Sequence, residues 1–191
     1  MDLVPTPSQT VGPFFYFGLT TQERCIPCIA GPQVKGQRLW LRCRVLDGAG
    51  EPLNDAMVEI WQADSQGKYN HPDDPQPGGT EAGCRGFGRM GTDEKGECEF
   101  ETIKPGRVPG PGGVRQAPHL SVAVFARGMM KQLYTRIYFA GDTSNGDDPV
   151  LALVPQDRRE SLMATPDPAR ADAWRFDVRL QGESETVFFD V

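Results

Sequence analysis

Glycine and proline are spread through the whole of this chain and are not gathered in one linker. There are 22 glycines and 17 prolines among 191 residues, about a fifth of the sequence. Both residue types favour turns and interrupt regular elements, so this distribution fits many short strands joined by turns. It predicts a chain built mainly from β-structure.

Apolar and polar residues alternate in the segments between these turns. Residues 174–180 alternate cleanly, and residues 41–45 alternate just before the turn signal Asp47-Gly48. His119–Phe125 is apolar apart from His119 and Ser121, as in a strand buried on both faces. The same reasoning predicts strands at residues 57–61, 97–101, 133–139 and 186–189.

These segments together predict an all-β fold, an antiparallel β-sandwich with long irregular loops. One short helix is expected near residues 156–163, begun by Pro155. Residues 1–36 show little periodicity and are predicted to form an N-terminal arm that packs on a partner subunit, whereas residues 37–191 form a single domain. Loops at 64–90 and 104–117 are long enough to suggest a functional role.

The charge of the chain restricts its partners and location. A formal charge of −6 and a pI near 5.0 argue against nucleic acid or an anionic membrane, because both need a basic surface. The N-terminal residues resemble neither a signal peptide nor a membrane anchor, so a soluble, cytoplasmic protein is expected. Its five cysteines are then expected to be thiols, and Cys25 and Cys28 lack the second close pair that a zinc knuckle needs.

Histidine and tyrosine form what resembles an incomplete metal site. The chain has two histidines, His71 and His119, and a pair of the form His-x-His would place Ser121 where a second imidazole belongs. An independent metalloenzyme using Tyr69, His71 and His119 remains one alternative. A facial triad of His71, His119 and Asp73 is another form of that alternative.

Several ordered motifs resemble the intradiol ring-cleaving dioxygenases. They run from Val58-Glu59-Ile60-Trp61-Gln62-Ala63-Asp64 and Gly67-Lys68-Tyr69 through Gly86-Phe87-Gly88-Arg89, Lys104-Pro105-Gly106 and Ala117-Pro118-His119 to Tyr138-Phe139. The flanking segments 6–14 and 181–190 are similar to the non-iron α subunit of the two-chain members of this family. The resemblance implies an obligate partner, a β subunit that holds Fe(III). It also implies that this chain binds no cofactor.

The family's ligand pattern is two tyrosines and two histidines, and this chain matches half of it. Tyr69 and His119 match, whereas Val108 and Ser121 stand where the other tyrosine and histidine belong. The family's arginine three residues before the first histidine is replaced by Gln116, although Arg115 lies beside it. The resemblance therefore implies no metal ligand and no catalytic residue in this chain.

In the two-chain members the α subunit completes the pocket of the β subunit, so the resemblance implies a substrate-binding role for this chain. Arg127, in Phe125-Ala126-Arg127-Gly128, would bind a substrate carboxylate, since its planar fork pairs with both oxygens. Thr10, Gly12 and Pro13 would line the pocket, with Phe14 as a wall. The implied substrates are 3,4-dihydroxybenzoate and O2, and the product is 3-carboxy-cis,cis-muconate, in aromatic catabolism by the β-ketoadipate pathway. A catalytically silent β-sandwich binding module is the remaining alternative.

Overall fold

The computed structural model describes residues 9, 10, 12 and 14–190, and its main feature is a sheet of eight strands. The strands are β1 Arg38–Leu46, β2 Met57–Trp61, β3 Phe87–Gly91, β4 Glu97–Ile103, β5 His119–Phe125, β6 Leu133–Phe139, β7 Met163–Pro166 and β8 Ala173–Arg179. A short α-helix, α1, spans Phe14–Leu19, and 3-10 turns lie at Pro111–Gly113, Thr143–Asp147, Leu151–Leu153 and Gln156–Leu162.

The eight strands form two layers, in the order β3-β2-β5-β6-β7-β8-β1-β4. We call β3, β2, β5 and β6 the first sheet and β8, β1 and β4 the second sheet; β7 pairs with β6 on one side and β8 on the other. This confirms the predicted sandwich. The strands are antiparallel except that β1 pairs with β8, and β6 with β7, in parallel. Parallel neighbours need a long crossover, and residues 140–162 supply it between β6 and β7.

The apolar core lies between the two sheets and is closed by side chains from both. Leu41 and Phe100 of the second sheet and Ile60, Val122 and Ile137 of the first sheet are all fully buried or nearly so. Burial of each such side chain stabilises the fold by roughly 1.5–3 kcal/mol. The core therefore fixes the strand register on which the geometry of the outer faces depends.

Most predicted strands are present, but two observed strands were not expected. The sequence prediction placed residues 64–90 in a loop, yet Phe87–Gly91 forms β3, in which Gly88 and Gly91 allow close packing. A Cβ on Gly88 would lie 2.7 Å from a side-chain carbon of Ile29. The segment 156–163 is a 3-10 turn over Gln156–Leu162, and β7 begins at Met163. The strand expected at 186–189 is only an isolated bridge between Phe189 and Tyr134.

The structure also refines the burial of β5 and the extent of the N-terminal arm. Burial alternates along β5, so one face of this strand packs in the core while Ser121, Ala123 and Phe125 are only half-buried. Residues 26–34 pack on the body of the chain, and Ile29 is fully buried there. The part of the predicted arm that stands away from the core is therefore α1 and the described residues before it.

All five cysteines are free thiols. Cys25 and Cys28 lie within 3.4 Å of the backbone carbonyls of Thr20 and Ala30.

In the described part of the chain, no helix has the length and apolar character needed to cross a membrane.

Candidate functional site

The predicted site residues lie at opposite ends of the first sheet, on its outer face. At one end Trp61, Ser121 and Arg136 are neighbours across β2, β5 and β6, and at the other end Met57 lies opposite Phe125. A strand advances about 3.3 Å per residue, so the two ends of β5 are roughly 20 Å apart. We call the end that carries His119 the histidine end and the end that carries Arg127 the arginine end.

His119 is buried at the histidine end, and its hydrogen bonding fixes its tautomer. Its Nδ1 lies 2.8 Å from the carbonyl oxygen of Ala117, which can only accept, so Nδ1 carries the proton. Burial, together with the positive charge of Arg136, lowers the pKa of His119 to about 4. His119 is therefore neutral at physiological pH.

A buried carboxylate organises the residues next to His119. Asp148 accepts hydrogen bonds from the hydroxyl of Tyr138 at 3.1 Å and from the backbone N–H groups of Ala117, Val150 and Leu151 at 2.7–2.9 Å. Burial raises the pKa of Tyr138 above its usual range, so its hydroxyl stays protonated and donates to Asp148. These contacts hold the loop before β5 against the crossover after β6.

Arg136 brings a positive charge to the histidine end. Its Nη1 donates to Oε1 of Gln116 at 2.6 Å and lies 3.5 Å from the hydroxyl of Tyr138. Burial raises the pKa of Tyr69, while the charge of Arg136 opposes this shift. Arg136 is thus close enough to influence both Tyr69 and His119, the two residues that match the family's ligand pattern.

Tyr69 lines an open cleft of about 290 Å³ with Trp61 and His71. Its ring is parallel to that of Trp61, with centroids 6.2 Å apart, and His71 meets the same indole edge-on at 6.3 Å. Asp74, also in the wall, accepts from the backbone N–H of Tyr69 at 2.7 Å. His119 does not line this cleft, so the predicted pair of Tyr69 and His119 does not share one cavity.

The donors at the histidine end do not fit a ferric ion. Val108 and Ser121 offer no phenolate and no imidazole, and the raised pKa of Tyr69 opposes loss of its proton. Arg136 adds a cation beside the two donors that are left. The facial triad considered above is not assembled either. His71 contacts Asp73 at 3.7 Å, but within residues 14–190 no three His, Cys, Asp or Glu side chains are grouped to hold a metal.

Arg127 follows β5 at the arginine end and forms an ion pair with Asp55. Its Nε lies 2.9 Å from Oδ2 of Asp55, and its side chain remains 65% exposed. The pairing continues the register of β2 and β5 beyond the ends of the strands, because Met57 is opposite Phe125. Asp55 therefore contacts the inner nitrogen of the Arg127 guanidinium, while most of the side chain faces solvent.

The N-terminal helix reaches the same end of the sheet. The hydroxyl of Tyr16 donates to the carbonyl of Thr92 at 2.9 Å, just beyond β3, and a Cβ on Gly91 would lie 2.9 Å from the Tyr16 ring. Phe14 and Phe17 of α1 are 81% and 69% exposed. The structure thus brings α1 and Arg127, which are far apart in sequence, to one end of one sheet.

The other predicted pocket residues precede α1. Thr10 is exposed, and its hydroxyl accepts from the N–H of Gly12 at 3.4 Å. Gly12 has a φ of +68°, a conformation that favours glycine. Pro13 lies outside the described residues.

Sequence reasoning assigned no role to Asp55, Thr92, Arg136 or Asp148. Arg136 carried a signal, since it is the one charged residue in the strand β6. Asp148 carried none, because its partners are three backbone N–H groups and the hydroxyl of Tyr138, which only the folded chain brings together. Asp55 and Thr92 could be recognised only once the pairing of β2 with β5 and β3 was known.

Comparison with known proteins agrees with this geometry. A family model described as "Dioxygenase" matches residues 11–182, and the chain belongs to the intradiol dioxygenase family. The chain is 42% identical to the protocatechuate 3,4-dioxygenase alpha chain of Burkholderia cepacia, covering 99% of this chain and 98% of the relative. Identity to the alpha chain from Pseudomonas putida is 39%, over 100% and 98%. The beta chain from Burkholderia cepacia is 33% identical, over 79% of this chain and 67% of its own length. The family resemblance predicted from the sequence is thereby confirmed.

Proposed function

We propose that this chain is the non-iron α subunit of a protocatechuate 3,4-dioxygenase. The observation that carries the proposal is the contrast between the two ends of the first sheet. The histidine end lacks donors for a ferric ion, whereas the arginine end presents a cation and an aromatic helix that its own chain leaves exposed. A chain built in this way contributes to a pocket that belongs to another subunit.

The partner is an iron-bearing β subunit, and it covers the outer face of the first sheet. That face carries half-buried Trp61, Phe87 and Phe125 and leads into the exposed phenylalanines of α1. Aromatic residues of this kind are enriched at protein interfaces.

The outer face of the second sheet is very different, because it carries a network of ion pairs. Arg44 and Asp177 pair at 2.5 Å and Arg42 and Glu99 at 3.5 Å, all between one-third and one-half exposed. Such a face is suited to solvent, so the contrast between the sheets supports docking on the first sheet.

In the assembled enzyme this chain binds the carboxylate of 3,4-dihydroxybenzoate. Arg127 supplies the positive charge, and Thr10, Gly12, Pro13 and Phe14 form part of the wall. A ferric ion held by the β subunit would supply the activation of the two ring hydroxyls for reaction with O2. Both oxygen atoms enter the product, and the ring opens between the hydroxyls to give 3-carboxy-cis,cis-muconate. This reaction belongs to aromatic catabolism by the β-ketoadipate pathway, and the free thiols favour a cytoplasmic location.

Co-expression with a homologous chain that has the full set of iron ligands tests this proposal. We expect the two chains to co-purify in equal amounts, with one iron per pair and a visible tyrosinate-to-iron absorption band. The same chain purified alone and incubated with iron should show neither the band nor ring cleavage. Iron and activity in this chain alone would support an independent metalloenzyme and refute the proposal. Failure of the two chains to associate would support a separate binding module.

A further inference from the structure

The ion pair between Asp55 and Arg127 is built into the sheet. Asp55 lies two residues before β2 and Arg127 two residues after β5, so they oppose each other on the outer face of the antiparallel pair. Their side chains differ in exposure, 23% for Asp55 and 65% for Arg127. The carboxylate is therefore the more buried partner, and the guanidinium projects toward solvent.

Asp55 is held through the backbone on both sides by one buried threonine. The Oγ1 of Thr92 accepts from the N–H of Ala56 at 3.0 Å and lies 2.6 Å from the carbonyl of Leu53. The N–H of Thr92 in turn donates to the carbonyl of Ala56 at 2.9 Å. The backbone segment 53–56 that carries Asp55 thus has little freedom.

Thr92 also anchors the N-terminal helix, since its carbonyl accepts from Tyr16. The residues predicted to touch the substrate, Arg127 and the segment before α1, therefore share one support. Within the described residues, Asp55 is the acidic side chain that lies within 4 Å of Arg127. Arg127 itself follows β5 on a turn whose Gly128 has a φ of +85°.

We propose that Asp55 is a positioning residue that directs the guanidinium of Arg127 toward the substrate carboxylate. This inference rests on the proposed function of Arg127. Asp55 contacts Nε, which leaves the outer edge formed by Nη1 and Nη2 for two parallel hydrogen bonds to a carboxylate. A long arginine side chain loses rotamer freedom on binding, and one already held in place loses less.

Asp55 has an opposing effect, because its negative charge repels an anionic substrate. The two effects can be separated by two substitutions. Asp55→Ala removes both the charge and the side chain that lies against Nε, whereas Asp55→Asn removes the charge but keeps a polar side chain of the same size there. If positioning dominates, the alanine variant binds the substrate more weakly than the asparagine variant.

The experiment measures anaerobic binding to the complex with the iron-bearing subunit, followed by the visible absorption band. For 3,4-dihydroxybenzoate we expect Asp55→Ala to raise Kd about three- to tenfold, the effect of releasing one ordered side chain. For catechol, which lacks the carboxylate, the change should be less than about twofold. Asp172→Ala is the matched control, because Asp172 also pairs with an arginine Nε at 2.9 Å but lies before β8.

A double substitution makes the inference specific. In an Arg127→Ala background, Asp55→Ala should have no further effect on either ligand. A lower Kd in Asp55→Ala would show that Asp55 competes with the substrate, and equal changes for the two ligands would show a structural role; either result overturns the inference. If Arg127→Ala changes Kd equally for 3,4-dihydroxybenzoate and catechol, the proposed role of Arg127 is itself rejected. A selective Arg127→Ala with an unchanged Asp55→Ala rejects the role of Asp55 alone.

Discussion

Replacement of Arg127 by alanine should weaken binding of the substrate by an amount that the structure helps to set. A hydrogen bond to a charged group contributes about 1.5–3 kcal/mol. Arg127 is 65% exposed and shares its charge with Asp55, so the lower end applies in this case. A loss of about 1.5 kcal/mol corresponds to a roughly tenfold increase in Kd.

The assay compares two substrates in the assembled enzyme. With 3,4-dihydroxybenzoate, Arg127→Ala should raise KM about tenfold, whereas with catechol KM should change by less than about twofold. Iron content and the size of the complex should remain as in the unmodified protein, because Arg127 is 20 Å or so from the histidine end. Arg127→Lys should recover part of the loss, since it keeps the charge but not the planar fork. Equal losses with both substrates would mean that Arg127 shapes the pocket or the interface and does not recognise the carboxylate.

Three further predictions concern other parts of the molecule. Deletion of residues 1–17 should abolish assembly, because the interface is expected to bury upwards of about 2,000 Å² and α1 exposes Phe14 and Phe17; a fully active truncated complex would refute this. Asp148→Asn should lower the free energy of unfolding by about 3 kcal/mol, measured in urea, because an amide cannot accept all four hydrogen bonds of the buried carboxylate; a loss below about 1 kcal/mol would contradict it. His119 has a folded pKa of about 4 against 6.5, so the unfolded state binds the proton first and stability falls as pH drops from 6.5 toward 4. Protonation of His119 should lower the free energy of unfolding by about 2 kcal/mol between pH 7.5 and pH 5. In the His119→Gln variant, urea unfolding at these two pH values should show a drop that is smaller by this amount.

The sequence predicted those strands whose side chains report burial clearly. The bounds expected for β2, β5 and β6 are the observed ones, because bulky apolar residues occupy their inward positions. β3 was missed since its glycines allow close packing, of Gly88 against Ile29 and of Gly91 against Tyr16, which no local pattern reveals. The parallel pairings of β7 with β6 and β8 with β1 are properties of the whole topology.

The candidate site was predictable where the chain resembles a family motif, and not where it depends on strand pairing. Tyr69, His119 and Arg127 were found from motifs. The ion pair of Asp55 with Arg127 joins residues from different strands, and it follows from the register of β2 and β5 alone. Sequence reasoning also grouped Tyr69 with His119, whereas His119 lies outside the cleft that Tyr69 lines.

The histidine end is stable without a metal because its polar groups satisfy one another. A buried polar group without a partner costs about 1–3 kcal/mol, so a metal site that loses its ion needs other contacts. Here His119 donates to a backbone carbonyl, Tyr138 donates to Asp148, and Arg136 donates to Gln116. These contacts keep the strand ends and their crossover in place. The fold can therefore present Arg127 and α1 at the far end of the same sheet, and a site without iron ligands still supports the geometry on which the proposed role in a partner's pocket depends.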